Sequence, residues 1–178
     1  MSLYHIDAAH SAAQFKVRHM MIANVKGEFD KVSGTVNYDP ANPTASAVQA
    51  SVDVSTISTR DEQRDGHLKS PDFFDVAQYP TIDFKSKKVT AAGGDSFTVL
   101  GDLTIHGVTK EVTLHVEELT GEAKDPWGNM RRGATAKTKI NRKDFGMAFN
   151  VALEAGGFMV GEDVDLTIDV EMIAQAAS

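Results

Sequence analysis

Apolar and polar residues alternate along most of this chain, and a period of two suits a half-buried strand rather than a helix. Eight segments carry the pattern. The first spans roughly 12–19, setting Ala13, Phe15 and Val17 against Gln14, Lys16 and Arg18. In the second, roughly 25–38, Val32, Gly34, Val36 and Tyr38 alternate with Ser33, Thr35 and Asn37, and Gly27 and Gly34 suit sharp bends or bulges. The third, near 47–55, carries Val48, Ala50, Val52 and Val54 on one face, and the fourth, near 81–90, carries Ile82 and Phe84. Val99, Gly101, Leu103 and Ile105 lead into the two-residue turn His106-Gly107, from which Val108, Val112, Leu114 and Val116 return as a hairpin. A seventh strand, near 131–140, follows the turn signal Asp125-Pro126-Trp127-Gly128; the eighth, near 163–173, sets Val164, Leu166, Ile168, Val170 and Met172 against acids and Thr167.

Two segments depart from alternation. Thr59 followed by Glu62 has the spacing of a capping box, so residues 59–69 read as a short helix that Pro71 ends. Its charges are open to two readings, plain ion pairing on a helix surface or an inward turn of Arg64 or Asp65 that fixes the helix over its neighbours. Residues 141–160 form a long Gly- and Phe-containing connection with one helical turn expected from Arg142 to Phe145. No linker-like shift in composition divides the 178 residues, which are expected to form one domain, 1–178.

Eight antiparallel strands with one apolar face each can pack as a sandwich or close as a barrel. Closure removes every exposed edge, and an eight-stranded barrel is wide enough to be filled by side chains or to hold one ligand. The expected fold class is therefore all-β, a closed eight-stranded antiparallel barrel with a short helix over one mouth.

Composition excludes several functions. With no cysteine, the chain has neither disulfides nor thiolate metal sites. A formal charge of -7 with scattered Lys and Arg speaks against a nucleic-acid partner. No run approaches the ~20 apolar residues of a membrane-spanning helix. The N-terminus shows no secretory pattern, so a cytoplasmic location is expected for the chain as it stands, and a periplasmic or secreted one if a leader has been removed.

Motifs that carry catalysis are missing: there is no phosphate-binding Gly loop, nucleophile elbow or zinc-protease helix. His10-Ser11 lacks an obvious orienting carboxylate. Alternation places His5 and His115 on polar faces, and the turn position of His106 suggests exposure. His10, His19 and His67 lie at strand ends or in the short helix and could converge at one rim. There they could bond a ligand's polar end or, in the alternative reading, serve a metal-dependent enzyme. Abundant Phe and Met at strand ends and in the long loops suit an ordinary core or an adaptable apolar mouth.

Several stretches are similar to blocks of the YceI-like family. Ile6-Asp7 with His10-Ser11, Phe15 and Val17-Arg18-His19-Met20 resembles its opening, with Tyr4-His5 where a Trp often stands. Arg64 to Asp75 followed by Tyr79-Pro80, Gly101 to Lys110, Ile140 to Gly146, and Val160-Gly161-Glu162 resemble further blocks in the same order. The resemblance implies a lipocalin-like barrel whose channel binds a polyisoprenoid or isoprenoid quinone, in a family where dimers are common, so a homodimer is expected. The missing catalytic motifs add the expectation of no catalysis and no cofactor. Joined to strand parity, the resemblance points to a ligand site. Its walls would be Phe15, Val17, Phe29, Ile82, Phe84, Val99, Leu103 and Ile105, with His19, Met20, His67, Leu68, Phe73 and Phe74 at the mouth.

Overall fold

The computed structural model describes residues 1–176. Eleven strands join one sheet: β1 (Ser2–Ile6), β2 (Ala12–His19), β3 (Ala23–Phe29), β4 (Val32–Tyr38), β5 (Ala47–Asp53), β6 (Thr81–Gly93), β7 (Ser96–Ile105), β8 (Val108–Glu117), β9 (Ala123–Lys124), β10 (Met130–Asn141) and β11 (Val160–Ala174). A ring runs β11-β1-β4-β5-β6-β7-β8-β10 and closes where β10 pairs with β11, a closed eight-stranded antiparallel barrel.

The first expected strand is present whole as β2, with β1 added before it, whereas the second is broken in the middle into β3 and β4. β1 and β2 lie end to end along β11, with Ile6 opposite Met172 and Ala12 opposite Asp169. β3 and β4 run back along them in the same way, Phe29 opposite Ala13 and Thr35 opposite His5. The segment 2–6, absent from the strands expected from sequence, is thus the outer half of strand one. Between β1 and β2, Asp7 caps a 3-10 turn over Ala8–His10 by accepting the Ala9 N–H. Buried Ser11 then donates to the Glu171 carbonyl and accepts the Glu171 N–H, satisfying β11 where its partner strand is interrupted.

Two glycines let the wall curve. Gly34 has φ 142°, and a Cβ there would strike the backbone of β5. Gly27 faces Phe15 across the β2–β3 ladder and leaves room for its ring. In β6 the register shifts between Ser86 and Lys88, so inward parity passes from Ile82 and Phe84 to Val89. His106 and Gly107 both have positive φ, the conformation a two-residue hairpin turn requires.

Helix α1 spans Glu62–Lys69, shorter than expected. Its cap is Asp61, which accepts the Arg64 N–H, and not Thr59. Thr59 is buried instead, because Asp65 accepts both its N–H and its hydroxyl while Arg64 donates to its hydroxyl and carbonyl. The inward reading of these two charges is the one observed. The expected turn at Arg142–Phe145 is present as a 3-10 helix. No helix of the described residues is long and apolar enough to cross a membrane.

Candidate functional site

Strand direction gathers α1, the turn after β2, the His106-Gly107 turn and the 142–159 connection at one end of the barrel, called here the loop mouth. A channel of about 350 Å³ runs from that mouth towards the opposite end. Phe15 and Val17 of β2, Phe29 of β3, Ile82 and Phe84 of β6, and Val99, Leu103 and Ile105 of β7 line it. Alternate residues of β4, β5, β8, β10 and β11 complete the wall, the last with Val164, Leu166, Ile168, Val170 and Met172. Ala134 and Ala136 of β10 also face the channel, and their small side chains leave space open.

Over the loop mouth, aromatic contacts tie the covering segments together. His67 of α1 meets Phe73 and Phe149 edge-on, at 5.1 and 5.0 Å between centroids, and Phe73 meets Phe149 at 5.4 Å. Phe74 stands edge-on to Phe29 at 5.7 Å, and Phe29 packs on Phe15 at the same distance. Leu68, Phe73, Phe74, His19 and His67 all border the channel. Met20 does not. It lies in the tight turn after β2 with φ 50°, which directs it outward, and it is 43 % exposed.

Sequence patterns gave no sign of the role of Arg142. It is 3 % exposed, and its guanidinium donates to the carbonyls of Gly161 (2.7 Å), Met147 (2.6 Å), Phe149 (2.9 Å) and Val160 (3.2 Å). Burial pushes its pKa down. One cation thereby pins both ends of the connection that places Phe149, Met147 and Met159 at the mouth. Beside it, Lys143 bonds Glu162 at 2.7 Å and holds that carboxyl below its usual range.

Polar side chains bordering the channel cluster at its ends. Arg18, His19, Arg64, His67 and Arg142 are at the loop mouth, and Tyr38 and Ser46 are at the other end; Gln14 of β2 has outward parity. The Ser46 hydroxyl is buried without a protein partner. Near that far end, fully buried Tyr4 donates to Glu122 and accepts from Arg132, whose guanidinium lies over the rings of Tyr4 and Tyr38. Burial pushes the Tyr4 phenol up.

His10, His19 and His67 do not converge. His19 and His67 border the channel, whereas His10 sits outside the barrel, bonded to Asp7 at 2.9 Å. His67 bonds Asp72 at 2.8 Å. Among the described residues, one trio could bring three ligand atoms to a single ion: Asp7, His10 and Glu171, within 4.8 Å of one another. Arg131 already fills it, donating to Asp7 (2.8 Å) and Glu171 (2.7 Å) and also to Asp125 (2.7 Å). That guanidinium holds the Asp7 and Asp125 carboxyls below the usual carboxylate range, the signature of a satisfied ion cluster. His106 is half-buried rather than exposed, bonded to the Phe145 carbonyl at 3.1 Å and edge-on to Tyr79. His5 and His115 are exposed, as their parity implied.

A closed β-barrel enclosing a long apolar channel, with polar groups at its ends, defines a small-ligand-binding barrel. Residues 4–172 match the model of the YceI-like domain, and the chain belongs to that family. It is 39% identical over 172 residues to a UPF0312 protein of Staphylococcus aureus (strain N315), covering 96% of this chain and 97% of that one. A UPF0312 protein of Vibrio cholerae is 41% identical over 146 residues, 81% of this chain and 77% of its own length. Among solved structures, the Campylobacter jejuni YceI protein superposes with TM-score 0.74 at 31% identity, covering 89% of this chain and 90% of its own. Burkholderia cenocepacia BcnA gives TM-score 0.81 at 24% identity, covering 93% and 98%. A polyisoprenoid binding domain from Saccharophagus degradans gives 0.70 at 18%, covering 98% and 100%. The last two share the fold.

Proposed function

We propose that the chain binds a long apolar lipid, a polyisoprenoid or an isoprenoid quinone, in this channel and carries or stores it without a catalytic step. The observation that carries the proposal is the lining itself: apolar side chains along the barrel's length, with polar groups gathered at its ends. A polyprenyl chain offers almost nothing to hydrogen-bond, so selection must come from shape and burial. At about 0.8 kcal/mol per buried CH₂ the gross gain is ample, even after heavy ordering costs. The 18%-identical neighbour described as a polyisoprenoid binding domain supports the ligand class. In this assignment the tail lies between the walls set by Phe15, Phe84 and Leu103, and a polar end rests near His19 or His67. A homodimer belongs to the proposal, and light scattering reads it.

Replacing His10, His19 and His67 together by Ala is expected to lower lipid retention without abolishing it, read by extraction of the loaded protein. His10 is remote from the channel, and the other two offer only polar contacts at its mouth. Turnover of an isoprenoid substrate that a single one of these replacements eliminated would overturn the non-catalytic assignment.

A further inference from the structure

Exposed large apolar side chains are concentrated at the loop mouth. Met20, Met21 and Ile22 occupy the turn between β2 and β3, and Ile22 is 76 % exposed. Val151 and Phe158, both roughly half exposed, lie on a second small hairpin, closed by the Ala152–Phe158 bridge and the bond from Met159 N–H to the Val151 carbonyl. The two tips are joined. The Met20 N–H donates to the Met159 carbonyl at 2.7 Å, and the Met21 thioether lies so close over Gly157 that any side chain there would strike it. Both Met20 and Met21 have left-handed φ, 50° and 61°, at an exposed turn where Asn and Gly would be the easy choice. Outlying backbone geometry of this kind, carrying apolar side chains into solvent, points to a role at the surface.

Charge adds a second observation. Residues 12–27 contain Lys16, Arg18, His19 and Lys26 and no acid, in a chain whose formal charge is -7. Lys16 and Lys26 are direct partners across the β2–β3 ladder and both are exposed, so two cations stand side by side on the outer face. Lys16 forms an exposed ion pair with Asp165 at 3.6 Å, which leaves Lys26 beside it, and Arg18 turns towards the tip, donating to the Met21 carbonyl. Glu154 is the one acid on the second hairpin between Asn150 and Val160.

Apolar tips backed by cations suit the boundary of an anionic bilayer, where acyl chains meet phosphates. They suit a second copy of the chain poorly, because a two-fold contact would set like-charged hairpins against each other. We propose that this rim seats on an anionic lipid bilayer. The two tips enter the headgroup layer, and Lys16, Arg18 and Lys26 meet lipid phosphates. The inference rests on the lipid-carrying assignment: a mouth held against the bilayer lets an apolar tail pass between channel and membrane without crossing water.

The full chain is tested by flotation with phosphatidylcholine vesicles, with and without phosphatidylglycerol. Binding is expected to need phosphatidylglycerol and to weaken with salt. The double variant M21D/I22D should bind about tenfold or more weakly, since two apolar insertions become charged. K16Q/K26Q should lose most of the phosphatidylglycerol preference, and W127D, altering the exposed Trp beyond the far end, should bind as the parent does. Unchanged binding by M21D/I22D, or loss in W127D instead, would overturn the proposal. So would a fall from dimer to monomer in M21D/I22D, which would assign the tips to a second copy. Lipid uptake from detergent micelles is measured separately. Uptake without vesicle binding sinks the docking surface alone, and vesicle binding without uptake sinks the carrier assignment alone.

Discussion

Phe84→Asp is expected to empty the channel. Phe84 is 7 % exposed, sits opposite Ala50 of β5 and Leu103 of β7, and lies over Gly101. A carboxylate there keeps its hydration only if water enters, and an apolar tail beside it would strip that water away. The penalty is about 3 kcal/mol or more, upward of ~100-fold in Kd. Thr113→Asp, on the exposed face of β8, should leave lipid content unchanged. Because a buried charge also threatens folding, Ala136→Phe supplies an uncharged variant that fills the space instead. Organic extraction of each purified, cooperatively unfolding protein reads the result. Full lipid content in both folded channel variants would show that the cavity is not where lipid lies.

Arg142→Met should loosen the mouth. The substitution keeps much of the apolar stem but abandons four carbonyls, those of Met147, Phe149, Val160 and Gly161. Solvation of a freed loop recovers part of the loss, leaving a destabilisation of about 2–4 kcal/mol. For a domain of this size that lowers Tm by roughly 5–12 °C. Hydrogen exchange should accelerate across 146–161 more than in β7 or β8, and bound lipid should leave faster. Arg142→Lys restores charge without the planar fork, so it should fall between the two. A variant with protected 146–161 amides and parental lipid release would remove Arg142 from this role.

Strand identity and inward parity were legible in the sequence because both depend on neighbours two residues apart. Phe15 with Val17, Leu103 with Ile105, and Val164 to Met172 face the channel as alternation implied. Features set by distant partners were not legible. The break between β1 and β2 is stabilised by Ser11 reaching Glu171, 160 positions away. The parity change in β6 follows a register shift against β7 that no local pattern marks. Thr59 had the spacing of a cap, yet its contacts with Arg64 and Asp65 drew it into the interior and left Asp61 to start the helix. Met20 continued an apolar run, but the tight turn reversed its direction. Arg142 read as one more charge in a loop, since its four acceptors are backbone carbonyls invisible to a residue pattern. His10 failed to join His19 and His67 because the 3-10 turn after Asp7 holds it outside the wall.

Lipid occupancy tests the central claim most directly. The purified chain is incubated with a long polyprenol or an isoprenoid quinone, freed of excess detergent, and weighed intact by native mass spectrometry, with zinc offered in a parallel sample. The expected spectrum shows one lipid mass per chain, released on activation, absent from folded Ala136→Phe and unaffected by zinc. A chain that stays empty at saturating lipid, or that retains zinc in its place, would contradict the account.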